Sequence, residues 1–122
     1  MKLTNNEIYN YAIALNKAFD DEAQKLPIKV SFYLQKNKNT LMALAQDIES
    51  ARLKIAQENG TFSEEAGQYA IDSDKIELVS KELEDLFNLE QEVNIYTINI
   101  DSLNEDLLIS TAQMEALMFM ID

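Results

Sequence analysis

The 122-residue chain contains no cysteine and no histidine. Without cysteine it forms no disulfide, no thiolate metal site and no cysteine nucleophile. Without histidine it lacks the side chain that most often acts as a general base near neutral pH, and also the commonest zinc ligand. These absences lead us to expect a protein that is not an enzyme and that binds no cofactor.

Glycine and proline are scarce, with two residues and one residue respectively. Because all-β folds need turn residues at short intervals, this composition favours long regular elements, above all helices. Hydrophobic residues make up 47% of the chain, enough for the core of a single domain over residues 1–122. No apolar run approaches the ~18 residues that cross a bilayer, so we expect a soluble intracellular protein without membrane contact.

Basic residues are missing from the last third of the chain. Lys81 is the last of them, and the 41 residues that follow contain ten acids. Residues 1–60 carry a net charge of +1 and residues 61–122 carry −13, which together give the overall −12. This asymmetry argues against direct binding of nucleic acid and for a positively charged partner or a solvated acidic surface. The candidates for an acidic face are Glu82, Glu84, Asp85, Glu90 and Glu92.

The N-terminal half has the pattern of two helices. Thr4 and Glu7 have the spacing of a capping box, which predicts a first helix ending near Gln24. Pro27 suits the first turn of a second helix, although residues 28–34 also alternate like a short strand. From residue 30 to residue 55 a seam repeats at spacings of four and three, and Asn59–Gly60 supplies a stop. We therefore predict a helix over residues 28–58 that forms an antiparallel hairpin with the first.

Asn37 interrupts this otherwise apolar seam. Such an asparagine either fixes the register and number of associating helices, or lies at an exposed edge or bonds to a loop. A helix of this length must bury its seam against the C-terminal half or against another subunit. The seam residues that we assign to a candidate interface are Asn37, Leu41, Leu44 and Ile48.

The C-terminal half is predicted to contain a helix over residues 74–90, a strand over 93–100 and a short last helix after Ser110. The strand needs a partner, for which Tyr69–Ile71, Leu107–Ile109 and another chain all remain open. The last helix is apolar on more than one face, which favours either its own core or an interface with another protein. Its candidate interface residues are Met114, Met118, Phe119 and Met120.

Three acids near residue 74 resemble half of a calcium-binding loop. Asp72, Asp74 and Glu77 have part of the spacing, but the loop's sixth residue is not glycine and its twelfth is Leu83 rather than glutamate. Acids at the N-terminus of a helix explain the pattern better, because the helix dipole favours them there. We predict no metal site.

Four segments carry a resemblance to a known family: residues 3–8 (LTNNEI), 26–37 (LP then FYLQKN), 48–55 (IESARLKI) and 113–121 (QMEALMFMI). In these the chain resembles a family of small uncharacterised proteins encoded by phages and prophages of low-GC bacteria. The resemblance implies a viral origin and a location in the host cytoplasm or the virion. The family has no assigned catalytic residues that could be transferred.

The expectation for function is a non-enzymatic phage protein that acts by protein–protein contact and associates with itself. It would be a virion or assembly component or an accessory factor. The alternative is an acidic inhibitor of a host nucleic-acid-binding or defence protein. In that case residues 82–122 would occupy a groove built for phosphates.

Overall fold

The fold is mainly helical with a small β element, as the sequence predicts. The computed structural model describes residues 1–20, 25–103 and 108–122. Short 3-10 turns occupy Ser73–Lys75, Ile100–Ser102 and Met118–Met120. In the described residues the helices are α1 (Asn5–Ala18), α2 (Ile28–Asn59), α3 (Ile76–Asn88) and α4 (Thr111–Leu117), and the strands are β1 (Lys2–Thr4), β2 (Gly60–Ser63), β3 (Gln68–Ile71) and β4 (Glu90–Glu92).

Helix α1 begins with the predicted capping box. The Thr4 hydroxyl accepts the Glu7 N–H at 3.1 Å, and the Glu7 carboxylate accepts the Thr4 N–H at 3.0 Å. The predicted end near Gln24 was wrong, because α1 ends at Ala18 and Phe19 has left the helical region. The acids at positions 20–22 would oppose the dipole at a helix C-terminus, which favours the earlier end. Residues 21–24 themselves lie outside the described part.

Helix α2 confirms the predicted long helix. Its 32 residues span about 48 Å, and its first part packs antiparallel to α1. One apolar cluster of the described residues joins the two helices to the 93–98 segment and the C-terminus. Its fully buried large members are Ile8, Leu15, Val30, Leu41, Ile98, Leu117 and Met120.

The predicted strand over residues 93–100 was misplaced. The strand is β4, and it pairs with β1 at the N-terminus, with Leu3 opposite Gln91. None of the three expected partners is β1. Residues beyond β4 form only an isolated bridge between Ile98 and Ile121 among the described residues. The Val93 N–H still donates to the Met1 carbonyl at 2.8 Å, and further on the backbone of Tyr96 is bound by a side chain of α2. The possible strand at Tyr69–Ile71 is β3, which pairs with β2.

Helix α3 is shorter than predicted and starts beside the end of α2, where the Asp72 N–H donates to the Asn59 carbonyl at 3.0 Å. Val79 is buried, and Leu86 and Phe87 pack on the apolar cluster. Ile76, in the first turn of α3, is 57% exposed.

Candidate interaction surfaces

The apolar seam of α2 is covered by the chain itself. Asn37 and Leu41 are fully buried, Ile48 is nearly so, and Leu44 is half-buried against the same cluster. The residues that cover the seam come from α1 and from the C-terminal segment. These four seam residues therefore pack within the chain, and none of them is classed as exposed.

Asn37 lies where α2 meets the segment after β4. Its amide nitrogen donates to the Tyr96 carbonyl at 2.8 Å, and its amide oxygen accepts the Tyr96 N–H at 2.8 Å. The same nitrogen lies 3.4 Å from the Met120 sulfur. Of the roles considered from the sequence, the structure places Asn37 in a hydrogen bond to a loop of its own chain.

The C-terminal residues lie mostly inside the fold. Met120 is fully buried, Met114 is half-buried, and the Phe119 ring stacks on Tyr11 with centroids 4.6 Å apart. Met118 is the exception, with 64% of the side chain exposed. Of the four candidate interface residues here, Met118 is the most exposed, and Met114 and Phe119 keep part of their surface.

The acidic face occupies α3 and β4. Glu84, Asp85, Glu90 and Glu92 are exposed, and Glu82 is half-buried. Two of these acids are paired with the N-terminal strand: Glu90 lies 3.3 Å from the Lys2 amine and Glu92 lies 3.5 Å from the terminal amine. The other three have no basic group within ion-pair distance among the residues that the structure describes.

Exposed leucines flank these acids. Leu78 precedes Glu82 by one helical turn and Leu89 follows Asp85 by one turn, and each is at least half exposed. Leu78, Glu82, Asp85 and Leu89 follow one another at spacings of four and three and share one face, and Glu84 lies further around the helix. We call Leu78, Glu82, Glu84, Asp85 and Leu89 the acidic surface.

Asp72, Asp74 and Glu77 do not converge on a metal. Across residues 1–20, 25–103 and 108–122, no group of three or more acids is placed to hold an ion. In the same ranges, no helix has the length and apolar character needed to span a membrane.

A surface that the sequence analysis missed lies on the first turns of α2. Lys29 lies over the Tyr33 ring at 5.7 Å and Lys36 lies over the Phe32 ring at 5.5 Å, both within cation–π range. The Tyr33 ring in turn stacks on Tyr96 at 5.2 Å. We call this surface the basic–aromatic patch, and it comprises Ile28, Lys29, Phe32, Tyr33, Lys36 and Tyr96.

The patch is open to solvent. Ile28 is 85% exposed and Phe32 is 54% exposed. Both side chains therefore lie largely outside the core. Neither Lys29 nor Lys36 forms an ion pair with a described residue. Ile28, Phe32 and Lys36 are spaced four apart, which places them on one face of a helix. Residues 28–34 also alternate like a strand, and that second pattern hid the shared helix face.

A shallow groove separates α1 from α2 on another side of the fold. It encloses about 510 Å³ between Tyr9 and Ile13 of α1 and Met42 and Gln46 of α2. Its walls carry no ionised side chain. The Tyr9 ring closes one side by an edge-on contact with Phe87 at 6.0 Å.

Two contacts shift the pKa values of individual groups. The Arg52 guanidinium donates to Glu49 one turn earlier on α2, and this hydrogen bond holds the pKa of the Glu49 carboxyl below its usual value. Burial raises the pKa of the Tyr11 phenol, and the neighbouring Glu7 carboxylate raises it further. Neither group belongs to the acidic surface or the basic–aromatic patch, so neither titration bears on these two surfaces.

Comparisons with protein-family models, with curated proteins and with solved structures gave no match.

Proposed function

We propose that this chain is a non-enzymatic protein that acts by contact with other proteins and associates with copies of itself. We further propose, from the family resemblance, that it is a phage or prophage protein, either a virion or assembly component or an accessory factor. It would then work in the host cytoplasm or the virion.

The observation that carries the proposal is the exposure of large apolar side chains beside unpaired charges of one sign. Ile28 and Phe32 lie beside lysines, and Leu78 and Leu89 lie beside carboxylates. Charged groups beside exposed apolar groups are typical of the rim and core of a protein interface. The buried seam of α2, by contrast, contributes nothing to this proposal.

Self-association is tested by light scattering on the purified chain during size-exclusion chromatography over a wide concentration range. The proposal expects a mass that rises above that of one 13.9 kDa chain as concentration increases. A constant mass of one chain at the highest concentration would contradict it.

A second candidate is the acidic inhibitor of a host nucleic-acid-binding or defence protein. It is favoured by Glu84 and Asp85, which are exposed and have no basic partner in the described ranges. An uncompensated negative surface competes with phosphates for a basic groove. The test is a pull-down from bacterial lysate at low and high salt, with a Glu84→Gln/Asp85→Asn chain as the control bait.

Capture of a basic nucleic-acid enzyme by the native bait alone, lost at high salt, would support the inhibitor. Capture of phage structural proteins by both baits would support the first proposal instead.

A further inference from the structure

The basic–aromatic patch and the acidic surface have opposite charge and similar apolar content. The patch presents Lys29 and Lys36 around the exposed Ile28 and Phe32. The acidic surface presents Glu82 and Asp85 between two exposed leucines, and Glu84 lies further around the helix. Lys81, the one base on α3, lies one turn before Glu84 and Asp85, and the three carboxylates outnumber it. Each surface thus has the charge opposite to that of the other, together with exposed apolar side chains.

The two surfaces lie at separate parts of α2 and do not neutralise each other within one chain. The patch occupies the first three turns of α2, whereas α3 begins beside Asn59 at the other end. Leu89, at the far end of α3, lies at the start of α1, where its carbonyl accepts the Asn5 N–H at 2.8 Å. No ion pair between described residues joins the patch to α3.

We infer that the basic–aromatic patch of one copy binds the acidic surface of a second copy, head to tail. This inference rests on the proposed self-association and names the surfaces that carry it. Such a contact joins two different surfaces and is therefore heterologous, so it builds a ring or an open chain of subunits rather than a closed two-fold dimer. The lysines contact the carboxylates, and Ile28 and Phe32 cover the leucines.

Single-stranded nucleic acid is the main competing occupant, because aromatic rings and lysines also bind bases and phosphates. The net charge of −12 repels a polyanion along its whole length. A second copy has the same net charge, but it presents an acidic surface that matches the patch in both charge and apolar groups. The observations therefore favour a second copy.

The test uses two charge-reversed full-length chains, Lys29→Glu/Lys36→Glu and Glu84→Lys/Asp85→Lys. A control chain, Lys17→Glu/Lys54→Glu, has the same net charge as the first variant but alters neither surface. Self-association is measured by analytical ultracentrifugation at fixed salt, and folding by circular dichroism. We expect each reversed chain to associate at least about tenfold more weakly, and the control chain to remain within about threefold of native.

Mixing the two reversed chains is the decisive step. Each retains one native surface, so the mixture is expected to associate although neither chain does so alone. If the native chain associates and the reversed chains associate equally well, this inference is overturned while the proposed function stands. If the native chain stays a single chain at every concentration, the proposed self-association fails first and takes this inference with it.

A final measurement addresses the competing occupant. A fluorescent oligothymidylate is titrated with the native chain and with Lys29→Glu/Lys36→Glu. We expect no binding by either. Micromolar binding by the native chain that the variant loses would assign the patch to nucleic acid and overturn the inference.

Discussion

Asn37 and Tyr96 are joined by two hydrogen bonds of 2.8 Å, in which the side-chain amide of one residue pairs with the backbone N–H and carbonyl of the other. The Asn37 amide thus makes the two backbone hydrogen bonds that a neighbouring strand would otherwise make to Tyr96. A buried backbone group without a partner is costly. The pair therefore fixes where the segment after β4 crosses α2, and it satisfies the backbone of Tyr96 without a sheet.

Replacing this amide tests its contribution to stability. Asn37→Leu leaves the N–H and carbonyl of Tyr96 without partners in a partly buried site, and we expect a loss of about 2–4 kcal/mol in the free energy of unfolding. The measurement is urea denaturation followed by circular dichroism. The control is Asn39→Leu, an exposed asparagine on the same helix, which we expect to change stability by less than about 0.5 kcal/mol.

Equal stabilities of the Asn37→Leu and native chains would contradict this account of the pair. If the variant kept its stability and changed its mass in light scattering, Asn37 would instead set the number of associating helices.

The elements that the sequence predicts well are those fixed by local chemistry. The Thr4–Glu7 capping box acts over three residues, and the seam of α2 is a repeat along one helix. Strand β4 is the opposite case. Its residues, Glu90–Glu92, have low β-propensity, and they form a strand because β1 lies beside them. Pairing across about 90 residues leaves no local signal.

The candidate surfaces divide in the same way. The acidic face follows directly from the distribution of charge, and most of its members are exposed. The assignment of Asn37 needed a contact between residues 59 apart in the chain. The basic–aromatic patch needed the orientation of α2, because only the buried side of the seam tells which residues, such as Ile28 and Phe32, remain outside.

Gly60 and Gly67 are required for different structural reasons, and substitutions can distinguish these reasons. Gly60 has an extended backbone, but a Cβ there would lie 2.5 Å from the Ala70 carbonyl oxygen in the neighbouring strand. Gly67 has open space around it and a φ of +68°, which disfavours other residues. We expect Gly60→Ala to cost about 1–3 kcal/mol through strand displacement, and Gly67→Ala to cost about 1–2 kcal/mol through backbone strain.

Asparagine distinguishes the two mechanisms because it tolerates positive φ but still carries a Cβ. In thermal denaturation, Gly67→Asn should be milder than Gly67→Ala, whereas Gly60→Asn should be at least as harmful as Gly60→Ala. If asparagine were better tolerated than alanine at both positions, a steric clash would not explain the loss of stability at Gly60.

Tyr11 should make the chain sensitive to alkaline pH. Its pKa is raised, first by burial and then by Glu7, so the folded state favours the neutral phenol. A group with a raised folded pKa contributes stability that is fully present below its unfolded pKa, about 10, and that is lost as pH rises through the folded value. Tyr11→Phe keeps an aromatic ring for the stack on Phe119 and removes this titration.

The measurement is the melting temperature of both chains between about pH 8 and pH 11. We expect the native chain to lose more stability over this range than Tyr11→Phe does. The two chains differ at position 11 alone, so the difference between their curves reports on Tyr11. Parallel curves would contradict the raised pKa.

Neighbouring methionines at the C-terminus provide the last prediction, because Met120 is fully buried and Met118 is exposed. Met120→Ala removes a side chain from the apolar cluster and the sulfur that contacts Asn37, and we expect a loss of about 2–5 kcal/mol. Met118→Ala should change stability by less than about 0.5 kcal/mol. Met120→Leu conserves volume without the sulfur and should cost less than about 1.5 kcal/mol. Chemical denaturation of the three variants measures these differences. Similar losses for the two alanine variants would place Met118 inside the fold as well. Met118 would then no longer be a candidate interface residue.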